Sequence, residues 1–293
     1  LLGEWVLRSN STRAYACAGD DAASTRLSDC DAYSSLDNLW LARTSLPFTP
    51  REYHAAATVQ GDGYIFGGNG GIQNCDQYAS DSDAWTGKAN IPAPLRAKMS
   101  ASPINDRGYI YGGTSGGWVL DCDEYDPQAN SWANMTDMPT PARGEATAMT
   151  LYGQGYVAAG VASSPSYVLD CDAFDPVADT WSAKTDILGV ERSYPSSLSI
   201  GNDGYVLGGG SNYGTTLCSK YVVSTNTWTA KREAYQRRYR GAATEVGGVG
   251  YWFGGWTEAV TDTCVSYDVP SDTWADIASL PSPARRNFSA SAI

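Results

Sequence analysis

The sequence predicts an all-β protein assembled from six copies of one four-stranded unit. Three observations carry this. The chain has 31 Gly, 19 Tyr and 10 Trp against 5 Phe, a mix that suits short strands and tight turns rather than helices. Tryptophan recurs at Trp40, Trp85, Trp132, Trp181, Trp228 and Trp274, at separations of 45, 47, 49, 47 and 46 residues. Each of these has a cysteine ten residues before it (Cys30, Cys75, Cys122, Cys171, Cys218, Cys264) and an aromatic seven before it (Tyr33, Tyr78, Tyr125, Phe174, Tyr221, Tyr267). A fixed period of this length marks a repeat architecture.

The first strand of each unit is a small-residue segment such as Glu52–Val59, opened by Arg51, Arg96, Arg143, Arg192 or Arg238. The second is the Gly-Tyr strand, Gly63-Tyr-Ile-Phe-Gly-Gly68 and its copies at 108–113, 155–160, 204–209 and 250–255, with Ala14-Tyr-Ala-Cys-Ala-Gly19 as a degenerate first copy. The third carries the cysteine and the aromatic, and the fourth carries the tryptophan. Turn residues separate them: Gly61-Asp-Gly63, Asp126-Pro, Leu46-Pro, Met138-Pro and Leu280-Pro. Cys-to-Trp spacing is constant, so the variable loop lies between the second and third strands, at 69–74, 114–118, 161–166 and 211–216.

The pattern Arg…Gly-Tyr-x-x-Gly-Gly…Tyr-Asp…Trp…Pro-x-x-Arg, running over essentially the whole chain, resembles the kelch repeat. The resemblance implies a six-bladed β-propeller of four-stranded antiparallel blades around a central channel. It gives one domain over 1–293, with blades of about 51–95, 96–142, 143–191, 192–237 and 238–284, and a first blade of 11–50 joined by 285–293. The last segment, Arg285-Arg-Asn-Phe-Ser-Ala-Ser-Ala-Ile293, matches Arg96–Ile104 at five of nine positions. It is expected to supply the innermost strand of blade one and close the ring, which removes two sheet edges. Leu1–Arg8 is too bulky for that strand. The rival is a longer chain in which 285–293 opens a further blade.

Net charge is −12, which argues against nucleic acid and anionic membranes as partners. No window has the apolar length of a membrane-spanning helix. The stretch Asp121-Cys-Asp-Glu-Tyr-Asp126 lacks the Gly and Glu of a calcium loop. Its aspartates recur before the tryptophan as Asp31, Asp76, Asp123 and Asp172, replaced by Ser219 and Val265 in blades five and six. They read as solvated strand-edge acids, with a hard cation at a blade rim as the sharper alternative. No CxxC occurs, so no zinc site is expected, and no metal or cofactor is assigned.

Equivalent cysteines on neighbouring blades should lie beyond disulfide reach and serve as small buried hydrophobes. Cys17 differs, because its strand adjoins the one with Cys30 and the two could touch. Unpaired thiols lean towards a reducing, cytoplasmic compartment, with an extracellular or surface assembly still open. Three sequons occur, at Asn10, Asn134 and Asn287. Asn287 falls in an inner strand, where a glycan does not fit.

Histidine is limited to His54, so triads or metal centres built on several histidines are excluded within this chain. The resemblance brings in copper enzymes whose site uses two histidines, and this chain lacks them. The binding candidates are the arginines that open the units, Arg51, Arg96, Arg143, Arg192 and Arg238 with Arg285, expected as a ring near one channel mouth. Two residues on lies a second set that varies from blade to blade: Tyr53, Lys98, Glu145, Tyr194, Arg240 and Asn287. Arg and Tyr are favoured binding anchors, and Arg suits carboxylates. The alternative for the repeat arginines is bonding to loop carbonyls and turn acids of the scaffold. The expected function is a non-enzymatic module that binds a protein or acidic peptide through blade loops and channel mouth. The alternatives are a sugar-acid epimerase or mutarotase-like enzyme using Glu145 or His54 in the channel, and a structural or adhesive component.

Overall fold

The structure, a computed structural model, describes residues 13–47, 49–163, 166–210 and 214–293. Six four-stranded antiparallel sheets follow one another around a channel, and apart from one 3₁₀ turn at Val223–Thr225 the described residues form no helix. In blade two the strands run outward as Ala55–Val59, Asp62–Phe66, Cys75–Ala79 and Ala84–Lys88. The inner strands Ser100–Ile104, Thr147–Leu151, Ser196–Ile200, Ala242–Val246 and Ser289–Ala292 complete the wall, each beside the next.

Closure is as the repeat alignment anticipates. Ser289–Ala292 pairs antiparallel with Arg13–Cys17, with Cys17 opposite Ser289 and Ala14 opposite Ala292. Blade one thus reads 289–292, 13–17, 30–34, 39–43 from channel to rim. The expectations for Leu1–Arg8 and Asn10 lie outside the described residues. The sequence pattern gave no sign of the two-stranded hairpin, Val161–Ser163 with Ser166–Tyr167, in the variable loop of blade four.

The repeated aromatics fill the wedge between blades. Tyr125 and Trp132 lie 5.0 Å apart between ring centroids, and Phe66 of the preceding blade meets Trp132 edge-on at 5.5 Å. The glycine of the Gly-Tyr strand makes room for this: a Cβ on Gly155 would strike the Tyr111 hydroxyl of the blade before. The next pair of glycines serves the backbone, since Gly112 has φ +55° and sits against the Arg143 carbonyl.

A clasp repeats at every blade junction. Asn130, at φ 49°, accepts the Tyr125 hydroxyl at 2.8 Å and the Ala89 N–H of the preceding blade at 2.8 Å. The Trp132 indole N–H donates to the Ala89 carbonyl at 2.8 Å. Asn38, Asp83, Asp179, Asn226 and Asp272 do the same for Ala278, Thr44, Thr136, Thr185 and Arg232, and the tryptophans follow suit. Asn and Asp tolerate the left-handed backbone this needs. They stand two residues before each tryptophan, a signal the sequence carries plainly.

Cys75, Cys122, Cys171, Cys218 and Cys264 are free and buried, as small hydrophobes. Cys17 and Cys30, opposite each other in register, are joined as a disulfide. Free thiols therefore describe five of the seven cysteines, and the compartment they favour is not tested. Among the described residues no helix is long and apolar enough to cross a membrane.

Candidate functional site

The arginines that open the units do not line the channel mouth. Arg51, Arg96, Arg143, Arg192, Arg238 and Arg285 are at most 1% exposed, folded into their own blades. Their partners are the aspartates before the tryptophans. Arg51 pairs with Asp76 at 2.5 Å, Arg143 with Asp172 at 2.6 Å, Arg285 with Asp31 at 2.5 Å, and Arg96 with Asp123. This corrects two expectations. The arginines are buried scaffold residues that the mouth cavity does not touch, and the four aspartates are buried counter-ions rather than solvated acids or cation ligands. A guanidinium taken out of water requires an acceptor. Where the acid is missing, Arg192 uses the Ser219 hydroxyl at 2.8 Å and the Leu188 carbonyl at 2.8 Å. Among the described residues no group of three His, Cys, Asp or Glu is placed to hold a metal ion.

The second set does converge. Tyr53, Lys98, Glu145, Tyr194, Arg240 and Asn287 surround one cavity of about 110 Å³ at the channel mouth, with His54 and Phe288 among its other walls. All six have left-handed φ, from 47° at Tyr194 to 59° at Arg240. That conformation is rare for a bulky residue and must be held by its surroundings. The holder is a closed ring of backbone hydrogen bonds. The N–H of Lys98 donates to Tyr53, Glu145 to Lys98, Tyr194 to Glu145, Arg240 to Tyr194, Asn287 to Arg240 and Tyr53 to Asn287, at 2.8–3.2 Å.

Inside this ring the side chains interlock. Lys98 Nζ lies 2.7 Å from Glu145 Oε1 and sits over the rings of Tyr53, Tyr194 and Trp118 at 5.2–5.7 Å. The Arg240 guanidinium lies 4.8 Å from the Tyr194 ring and 5.8 Å from that of Tyr53. Among the described residues Arg240 has no ion-pair partner, and its Nε, the Tyr194 hydroxyl and Asn287 Oδ1 are buried without a hydrogen bond. Burial, with Glu145 nearby, pushes the Tyr194 hydroxyl far above its ordinary pKa, so it stays a neutral donor. Burial and the charge of Arg51 push His54 down to about 3, and its Nε2 lies 2.8 Å from Ser289 Oγ. Asn287 is 6% exposed and its amide donates to Asp20 Oδ1 at 2.7 Å, so that sequon is closed to a glycan. Asn134 lies exposed on an outer strand.

Below the mouth the channel widens to about 440 Å³. Its wall is mostly Ala, Ser and Thr, with a few larger apolar residues such as Met149 and Leu198, and Glu245 is the one charged lining residue among those described. Trp118, its ring 5.7 Å from Lys98 Nζ, and Tyr239, its ring 5.2 Å from the Arg240 guanidinium, are not among the expected binding residues: Trp118 falls in a variable loop, and Tyr239 stands at a repeat position where every blade differs.

The fold has solved counterparts. A chain described as "Structure of YjhT" superposes with a TM-score of 0.76 at 16% identity, covering 91% of this chain and 94% of that one. At that identity the likeness shows the six-bladed fold alone. No family model matches the sequence, and no curated protein does. The kelch resemblance thus rests on the repeat motif.

Proposed function

We propose that this protein is a non-enzymatic interaction module that grips an acidic peptide, or the acidic segment of a protein, at the channel mouth and its blade loops. One observation carries the reading. Lys98 and all six opening arginines have hydrogen-bond acceptors, whereas Arg240 makes no ion pair among the described residues and its Nε is buried without a hydrogen bond. A carboxylate is the group its planar fork fits, and two tyrosine rings hold that fork in place. Anisotropy with a labelled glutamate-rich peptide tests it. Arg240→Ala should weaken binding at least tenfold and Lys98→Ala less, while Lys184→Ala on an outer strand leaves it unchanged. If the wild type ignores the peptide, or Arg240→Ala binds equally well, the reading fails.

Glu145 sharing the cavity with Arg240 and Tyr194 favours, as a second reading, an enzyme acting on a sugar acid. Against it, the mouth cavity of about 110 Å³ is smaller than the roughly 300–1,000 Å³ of small-molecule sites. The channel below, of about 440 Å³, has no cation on its lining, among the described residues, to hold a sugar carboxylate. His54 is also neutral across the physiological range, which removes one of the two acid–base groups. Exchange of a sugar-acid anomer followed by NMR, faster with protein and lost in Glu145→Gln, would establish the enzyme instead.

A further inference from the structure

Blade six breaks the repeat at two points that meet in space. The residue paired with the opening arginine is Val265 where four blades have Asp. The residue six after each tryptophan is Leu46, Ile91, Met138, Ile187 or Leu280, but Ala234 at the approach to blade six. Ala234 and Val265 both line a cavity of about 480 Å³, with Tyr235, Gln236, Arg238, Thr263 and Ile277 among its other walls. Truncating a core side chain leaves space that the surroundings fill only in part.

Arg238 therefore faces this space without a counter-ion. Its Nη1 donates to the Thr263 and Trp252 carbonyls at 3.0 and 3.3 Å, and its Nη2 reaches only the Thr263 hydroxyl, at 2.9 Å. In blade four the same Nη2 holds a carboxylate. Burial pulls Arg238 down to about 10. Blade five makes the contrast: Arg192 also lacks an acid, but Ser219 and Leu188 satisfy its Nη2. Asp276, the one carboxylate on the cavity lining among the described residues, is exposed and makes no ion pair with Arg238.

We propose that blade six holds a carboxylate-binding site, in which Arg238 Nη2 takes a ligand carboxylate in the place of the missing repeat aspartate while Ala234, Val265 and Ile277 receive its apolar part. The site lies against the outer strand Thr273–Ile277, away from the mouth, and does not depend on the mouth's function. The hydroxyl of Thr263 is the neutral acceptor that the carboxylate displaces, and Gln236, bonded to that hydroxyl at 3.3 Å, moves with it.

The test is the thermal midpoint of the whole protein against propionate, hexanoate and benzoate, with their amides as controls and a short peptide with free or amidated C-terminus as a second arm. Val265→Asp restores the residue four blades use, so it should fold at least as well and abolish the carboxylate-dependent rise. Ala234→Leu should exclude benzoate, and Lys184→Ala, on the outer strand of blade four, should leave the rise unchanged. Binding of the free acids but not of the peptide assigns a small-molecule ligand; binding of the free-ended peptide assigns a chain terminus. No rise with any carboxylate at millimolar levels, or an equal rise in Val265→Asp, overturns the site.

Discussion

Tyr53 and Tyr194 belong to blades on opposite sides of the channel, yet their ring centroids are 5.6 Å apart. They meet over the axis and cap the channel, with Lys98 and Arg240, also from opposite blades, lying over the same rings. The mouth is therefore a layered lid of two rings and two cations. Arg240 is held by aromatic faces alone, and Lys98 by aromatic faces together with its ion pair to Glu145.

That arrangement makes Tyr194 a positioning residue for Arg240. A desolvated cation–π contact is worth about 1–2 kcal/mol. Tyr194→Ala should weaken acidic-peptide binding roughly tenfold at 1.4 kcal/mol per decade, whereas Tyr194→Phe keeps the ring and most of the affinity. Equal loss in both variants, measured by titration calorimetry, would assign the effect to the hydroxyl instead.

The buried pair Arg96–Asp123 should dominate the stability of blade three. Asp123→Ala leaves a guanidinium buried without its anion, which costs about 3–5 kcal/mol. Asp123→Ser imitates blade five, where Ser219 serves Arg192, and should lose less. Urea unfolding separates the two; an Asp123→Ala loss below about 1 kcal/mol would show that Arg96 finds other acceptors.

Blade four lacks one bond that its neighbours have. Phe174 stands where Tyr125 and Tyr221 donate to Asn130 and Asn226 at 2.8 Å. Phe174→Tyr places a hydroxyl near Asp179, which already accepts the Thr136 N–H at 2.8 Å. The expected gain is about 0.5–1.5 kcal/mol, read as a higher urea midpoint at unchanged m value. A lower midpoint would mean that the wedge has no room for the oxygen.

Stability should also fall in acid through His54. Its folded-state pKa, about 3, lies below the unfolded 6.5, so the unfolded chain takes up the proton first. The contribution is complete above about pH 6.5 and is lost as pH falls towards 3, at a slope of up to about 1.4 kcal/mol per pH unit. His54→Gln should flatten that part of the pH profile. An unchanged slope between pH 4 and 6 would place the acid sensitivity on other groups.

The sequence by itself determined the blades, their number, the inward order of strands and the closing segment, because packing wedges of one shape six times demands the same Cys, Tyr and Trp at the same intervals. It also held the Arg–Asp pairing, in that Asp is missing from the last two blades, but a one-dimensional period does not say which repeat position faces which. Only the tertiary structure decided that the opening arginines fold into their own blades, away from the channel, and that the side chains two positions later meet at the axis. The reason is geometric. A left-handed backbone at Tyr53, Lys98, Glu145, Tyr194, Arg240 and Asn287 serves a hydrogen-bond ring that exists once six blades have closed. The cavity beside Arg238 has the same origin: Ala234 and Val265 are 31 residues apart in the chain and neighbours in the fold.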